Sequence, residues 1–350
     1  MRGAPAAAEK CARAFGVPPG DDGRADVHGF HVYPARMHPR VAAALVATFS
    51  APGELVLDPF CGSGTVLAEA IAAGRRALGM DLNPLAALLA GFKARPWTAA
   101  RAQAMLTRAR AVVAQAASAH HDAPRDESEW FEPHMLRELA NLRGQILREP
   151  AGEARTGLEL ILSSILTKLS RQSSDTRIEK TRKQLARGFA SRLYLRKAAE
   201  LAERLSAYGQ RVVADTAAAR VLVGDARRLD GVGASTVALV VTSPPYRGVF
   251  DYLRQHERRA RWLGLDLAPL LRGEMGARRD RDRGGFADDM LRALRALARV
   301  LRPGGQAALV TGDDALVRLA PSAGLRFVAA ATQPRPQGRR EHLLLLEKPR

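Results

Sequence analysis

Short, mostly apolar runs recur along the chain at 55–57, 77–80, 221–223, 237–241 and 306–311. Runs this short, with little polar alternation, predict strands covered on both faces, the interior of a largely parallel sheet. Helical spacing follows the early runs at 66–73 and 84–93, and a short helix is predicted before them at 39–49; Asn83 is placed to cap the 84–93 helix and Pro84 to occupy its first turn. After residue 96 the strand rhythm stops. Residues 97–217 show helical periodicity at 101–120, 133–148, 155–170 and 190–208, with Leu136, Leu139, Leu142 and Ile146 as a core stripe. The sheet resumes at 221. A helix at 286–301, a turn at 302–305 and two final runs at 324–332 and 342–347 follow, the last two predicting a terminal antiparallel pair. Residues 1–27 carry little pattern and read as a flexible segment.

The chemistry gathers where the strands stop. Residues 242–246 are Thr-Ser-Pro-Pro-Tyr, directly after the run at 237–241. Two prolines cannot extend a central strand, since neither has an N–H and both fix φ near −65°. The strand must end in a rigid loop offering unpaired carbonyls, one hydroxyl and one aromatic face, a set suited to a planar base with an exocyclic amino group. Upstream, Asp58-Pro59-Phe60-Cys61-Gly62-Ser63-Gly64-Thr65 follows a strand and opens a helix. Gly62 and Gly64 allow close backbone approach and positive φ. This is the position of the first βα turn of a nucleotide-binding sheet, without the dinucleotide spacing or the lysine of a phosphate loop. Asp81 ends the second run and Asp225 the third. Three acids at successive strand ends suit a ribose and an adenine amine; the alternative is that each caps the helix that follows.

These motifs resemble the class I S-adenosylmethionine-dependent methyltransferases, and more narrowly the DNA methyltransferases that modify cytosine-N4 or adenine-N6. The resemblance rests on 58–65, on 242–246 and on Tyr33-Pro34-Ala35-Arg36-Met37-His38-Pro39, and covers roughly residues 28–95 and 219–349. It implies an α/β fold: a Rossmann-like class I methyltransferase sheet with a terminal antiparallel β-hairpin, here carrying a large helical insert. The implied division is a flexible segment at 1–27, a cofactor-binding first half at 28–96, the insert at 97–217 and a catalytic second half at 218–350. S-adenosyl-L-methionine is the implied cofactor, with Pro34, Asp58, Phe60, Gly62, Ser63, Gly64, Asp81, Asp225 and Thr242 at its site. Ser243, Pro244, Pro245 and Tyr246 are the implied catalytic residues, acting on a base flipped out of the duplex. Within the family Ser-Pro-Pro-Tyr points to cytosine-N4 over adenine-N6. The cofactor loop precedes the catalytic loop here, whereas many cytosine-N4 enzymes have the permuted order; this bears on the choice of base and not on the chemistry.

Charge adds a partner. The formal net charge is +18, and 47 of the 54 basic residues are arginine. Coding bias can favour Arg over Lys but creates no excess over acids, so a polyanion such as DNA or RNA is the expected partner. The most basic stretch, 168–197, holds ten Lys or Arg against Asp175 and Glu179. It is either a solvated face or a contact loop in which Arg171, Arg177, Lys180, Arg182 and Lys183 meet phosphates. The Arg-rich segment 278–285 is either a lid or disordered. Trp130-Phe131 reads as a core pair and His256 as a surface residue without chemistry.

Other classes fall away. Two cysteines, Cys11 and Cys61, make neither a disulfide framework nor a zinc site, and no Pro-Cys motif offers a thiolate for attack on cytosine-C5. No apolar run spans a membrane and no secretory signal is visible, so a cytoplasmic location without membrane or metal is expected. Two alternatives stay open: a tRNA guanine-N2 methyltransferase, disfavoured by the short stretch before the first run, and a non-catalytic nucleic-acid-binding protein on this scaffold. Oligomeric state is not legible.

Overall fold

A computed structural model of the chain describes residues 2–17, 20–34, 36–174, 179–249, 251–277, 285–334 and 340–350. The strands are β1 (Arg2–Gly3), β2 (Leu55–Asp58), β3 (Arg76–Asp81), β4 (Arg220–Val223), β5 (Val237–Thr242), β6 (Leu301–Thr311), β7 (Arg326–Pro334) and β8 (Arg340–Glu347). They form one sheet in the order β1-β7-β8-β6-β5-β2-β3-β4. From β4 to β6 the neighbours are parallel, whereas β8 is antiparallel to both β6 and β7. The chain order runs outward in one direction through β2, β3 and β4, then returns to the centre and runs outward the other way through β5 and β6. The reversal lies between β2 and β5, the crevice where open α/β sheets bind ligands at their carboxyl ends. The expected Rossmann-like sheet, terminal antiparallel hairpin included, is the one observed.

The helices are α1 (Pro5–Phe15), α2 (Pro39–Phe49), α3 (Thr65–Ala72), α4 (Pro84–Lys93), α5 (Ala99–Ala116), α6 (Pro133–Arg148), α7 (Glu153–Leu169), α8 (Phe189–Arg211), α9 (Tyr252–Leu263), α10 (Ala268–Gly273) and α11 (Phe286–Val300). Strand residues alternate between two apolar layers, as the pleat requires. Ala308 and Val310 of β6 and Leu343 and Leu345 of β8 face the larger layer; Ala307, Leu309, Leu344 and Leu346 face a smaller one covered by α11. The insert helices α5–α8 belong to the larger layer, together with α1–α4. They are bolted on by polar contacts as well: the Tyr208 hydroxyl of α8 donates to the Ala68 carbonyl of α3 at 2.8 Å.

Two expectations need correction. Residues 2–15 are not an unpatterned flexible stretch: β1 pairs with β7, and α1 buries Ala8, Cys11, Ala14 and Phe15. The alanine-rich stretch hid an amphipathic helix because small residues give little hydrophobic contrast. Residues 302–305 are not a turn outside the sheet but part of β6, where the register against β5 shifts and Gly304 takes φ +75°.

Candidate active site

The loop after β2 is shaped by its glycines for two different reasons. Gly62, at φ +48°, lies under the Tyr33 ring, and an added Cβ would come within 3.2 Å of Tyr33 Cε1. Gly64, at φ +82°, lets α3 pass α4, since a Cβ there would sit 2.6 Å from Ala90 Cα. Gly62 thus opens the crevice, while Gly64 serves packing. The Gly62 N–H donates to Asp81 Oδ2 at 2.8 Å, and the Asn83 N–H donates to Asp81 Oδ1 at 2.9 Å. The carboxylate at the end of β3 is therefore fixed from both sides by backbone. Enclosure by the protein raises its pKa to about 6, against these hydrogen bonds and helped by Glu274.

Around these groups lies a cleft of about 770 Å³. Its floor is Pro59, Phe60, Gly62, Asp81, Leu82 and Asn83. Gly224, Asp225 and Ala226 close one side, and Ser243, Pro244, Pro245 and Tyr246 another. Tyr33, Tyr252, Leu270, Gly273, Glu274 and Met275 complete it. Asp225, just beyond β4, is gripped by Arg227, whose guanidinium also reaches Asp289 at 2.9 Å. Tyr33 stacks on Tyr252, with ring centres 6.0 Å apart and planes at 19°, and lies 5.0 Å from the His256 ring. His256 is buried, contrary to its reading as a surface residue. Its Nδ1 faces the Asn83 amide at 2.6 Å, and burial drives its pKa down to about 3, so the ring is neutral.

The two sequence motifs meet here although 184 residues separate the groups that join them. Thr242 Oγ1, at the end of β5, donates to Asp58 Oδ1 at 2.6 Å, and the Phe60 N–H donates to the same carboxylate oxygen at 3.2 Å. Asp58 and Thr242 are both buried. Burial raises the Asp58 pKa to about 7, opposed by these two donors.

Of the expected cofactor residues, Phe60, Gly62, Asp81 and Asp225 line the cleft, as do Ser243, Pro244, Pro245 and Tyr246 of the catalytic set. Asp58, Ser63, Gly64 and Thr242 lie beneath it and hold its loops in place, and Pro34 stands beside Tyr33 outside the lining. Sequence reading missed Tyr33, Asn83, Tyr252, Glu274 and Met275. Asn83 did signal itself as a cap, and its Oδ1 does accept the Leu85 N–H at 3.0 Å; the cleft-side role of its amide depends on α9 and has no local signal. Cys61 is a buried packing residue against Gly79, as expected.

In the basic stretch, several of the cations expected to meet phosphates have partners within the chain. Arg171 donates to Glu132 at 2.9 Å, Lys180 to Glu129 at 2.9 Å, and Lys183 to the carbonyls of Gln172 and Thr167 at 2.7 and 3.0 Å. Arg182 is exposed. Arg177 and most of the 278–285 segment lie outside the described residues. Trp130 is half-buried between Arg258, 4.1 Å from its ring centre, and Lys180, 4.9 Å away, while Phe131 is in the core as expected.

Among the described residues no group of His, Cys, Asp or Glu is arranged to hold a metal, and no helix is long and apolar enough to cross a membrane.

Residues 14–90 match the DNA methylase family (N6_N4_Mtase). The chain is 39% identical over 72 residues to the type II methyltransferase M.MvaI of Kocuria varians, covering 20% of this chain and 16% of that protein. It is 33% identical over 67 residues to the type II methyltransferase M.MjaII of Methanocaldococcus jannaschii, covering 19% and 13%. The matched part is thus under a fifth of the length of either relative. Among solved structures, TrmN from Thermus thermophilus is similar at 17% identity and a TM-score of 0.38, covering 89% of this chain and 49% of that one. The rRNA methyltransferase aviRa from Streptomyces viridochromogenes is similar at 15% identity and a TM-score of 0.36, covering 98% and 93%. The segment matched by the family model, 14–90, holds the residues that build the Tyr33 wall, the Gly62 turn and the Asp81 carboxylate; over that segment the chain is similar to the exocyclic-amine DNA methyltransferases, and this similarity supports S-adenosyl-L-methionine as the cofactor.

Proposed function

We propose that the protein transfers a methyl group to the exocyclic amine of a flipped base in DNA, cytosine-N4 in preference to adenine-N6. The observation that carries this reading is the hydrogen bond from Thr242 to Asp58, which draws the Ser243–Tyr246 loop into the same cleft as the cofactor loop. The cleft fits the cofactor by its lining: carboxylates at Asp81 and Asp225 to accept hydroxyl and amino hydrogens, an open turn at Gly62 and aromatic walls at Tyr33 and Tyr252. When bound, the cofactor supplies an electrophilic methyl group.

An exocyclic amine is a poor nucleophile because its lone pair is delocalised into the ring. The Ser243 hydroxyl and the Pro244 carbonyl can each accept one amino hydrogen, which favours a pyramidal nitrogen with its lone pair free. Tyr246 stacks on the base. The chain contributes placement, and placement supplies much of the rate in such a transfer. Asp58 acts at one remove, by holding Thr242 and so the start of the loop. DNA is the proposed partner, and Arg182 in the basic stretch offers an exposed cation for phosphate. A cytoplasmic location suits such an enzyme.

The test is incubation with methyl-labelled cofactor and unmethylated duplex DNA or tRNA, with the product nucleoside identified by mass spectrometry. N4-methylcytosine is expected. N6-methyladenine would move the assignment to the other base, N2-methylguanine in tRNA would replace the substrate, and no labelled nucleoside would overturn the reading.

A further inference from the structure

A second cavity, of about 400 Å³, adjoins the cofactor cleft, and Ser243 and Tyr246 line both. Phe15 and Val41 give it apolar walls; Arg36, His38 and Glu341 are its charged or titratable ones. Arg36 spends its guanidinium on the carbonyls of His28 and Gly23. His38 accepts the Arg40 N–H and turns its other nitrogen to Asp21. Glu341 is the one of the three that reaches the catalytic loop: its Oε1 accepts the Tyr246 hydroxyl at 3.0 Å. Its other oxygen accepts Gln333 Nε2 at 3.3 Å, and Gln333 is its register partner across the terminal hairpin. The Tyr246 ring also rests beside Gly312, where an added Cβ would meet Cδ2 at 3.8 Å.

We propose that the second cavity receives the acceptor base and that Glu341 is a positioning residue for it, fixing the Tyr246 ring as a preset face on which the base stacks with its amine edge left open to the cofactor cleft. The proposal rests on the methyltransferase reading of the site. A tyrosine on a loop has two torsions to settle; a hydroxyl tied to a carboxylate on a paired strand settles both before substrate arrives. The terminal hairpin then has a function beyond closing the sheet, because it carries the anchor.

The test compares Glu341→Ala, Glu341→Gln, Tyr246→Phe, Tyr246→Ala and the Glu341→Ala/Tyr246→Phe double variant. It is run on the nucleic acid that the nucleoside assay identifies, with cofactor affinity and thermal midpoint measured alongside. Glu341→Ala and Tyr246→Phe are each expected to lower kcat by about tenfold, with cofactor affinity and midpoint unmoved. The double variant should be no slower than either single one, since both remove the same bond. Glu341→Gln keeps an acceptor and should recover most of the lost turnover. Full activity in Glu341→Ala, multiplicative loss in the double variant, or a Glu341→Gln as slow as Glu341→Ala would each overturn the proposal. The two readings fail separately: an active Tyr246→Ala brings down the catalytic site itself, whereas an inactive Tyr246→Ala beside a fully active Glu341→Ala brings down only the role of Glu341.

Discussion

The loops at the ends of β2, β3 and β5 and the cation-rich connection between α7 and α8 were both singled out by composition, yet they behave in opposite ways. In the strand-end loops each residue has a place set by topology. Asp81 can only stand where β3 stops, and the two prolines can only follow β5, so the chemistry of the residue type and its location arrive together. In the connection, long cations have many local partners within reach. Arg171 finds Glu132, Lys180 finds Glu129 and the Trp130 ring, and Lys183 finds the carbonyls at the end of α7. A count of charges states how many there are but not what they meet. A site fixed by backbone geometry is therefore legible in sequence, and a site made of flexible side chains is not.

The sharpest way to break this contrast is at Tyr246. Removing the ring in Tyr246→Ala forfeits base stacking worth about 1–3 kcal/mol and the placement that goes with it, so turnover should fall by about 100-fold or more. Cofactor affinity, measured by calorimetry, should stay within about twofold, because Asp81 and Asp225 are untouched. Normal turnover would show that the loop is a turn with no part in the reaction.

Asp81 sharpens the comparison on the cofactor side, with an effect of about 1.5–3 kcal/mol on affinity in Asp81→Ala. It also carries a pH signature with two opposite signs. Its pKa is raised from 3.8 to about 6 in the folded protein, and that of Asp58 to about 7. A carboxyl that holds its proton more tightly when folded contributes stability that is whole below pH ~4 and lost as pH rises through the folded pKa. Cofactor affinity should run the other way, rising as Asp81 ionises near pH 6 and its acceptor strength grows. Urea unfolding and calorimetry from about pH 5 to 8 should therefore diverge in the wild type, and Asp81→Asn should remove the affinity change. Parallel curves would mean that Asp81 does not meet the cofactor.

Much of this is legible in the sequence. The parallel strands, the terminal hairpin and the four insert helices follow from runs and periods, and Phe60, Gly62, Asp81 and Asp225 follow from strand ends. What was hidden has a common cause. Tyr33, Tyr252 and Glu274 reach the cleft from segments far apart in the chain, and only tertiary packing, that of α9 on α4 and α7 included, brings them together. Ser63 and Gly64 share a motif with true lining residues, and their burial, Gly64 against Ala90 of α4, leaves no trace in the motif itself. Helix α1 was missed because alanine satisfies a buried face as readily as an exposed one.

Within the connection itself, Lys183 distinguishes structure from recognition. Its ammonium bridges the carbonyls of Thr167 and Gln172, closing the end of α7. Lys183→Met keeps the stem and removes the donors, and should cost about 1–2 kcal/mol in urea unfolding. Its effect on the salt dependence of DNA binding should be negligible. An unchanged stability with a flatter salt slope would make Lys183 a phosphate contact after all.

The smallest expected effect is at Arg182, and it decides how far the contrast extends. An exposed arginine without a structural duty can meet a phosphate at no cost to the fold. Arg182→Gln should leave stability within about 0.5 kcal/mol. If it contacts duplex DNA, the slope of log K against log salt should flatten by at most about 0.9, the share of one phosphate. Arg171→Gln is the counterpart: it removes the bond to Glu132 and should lower stability while leaving the slope where it was. A slope that falls equally in both variants would mean that the Arg171–Glu132 pair opens on binding. The connection would then be a contact loop whose free-state pairing conceals its role, and charge count would have been the better guide there than geometry.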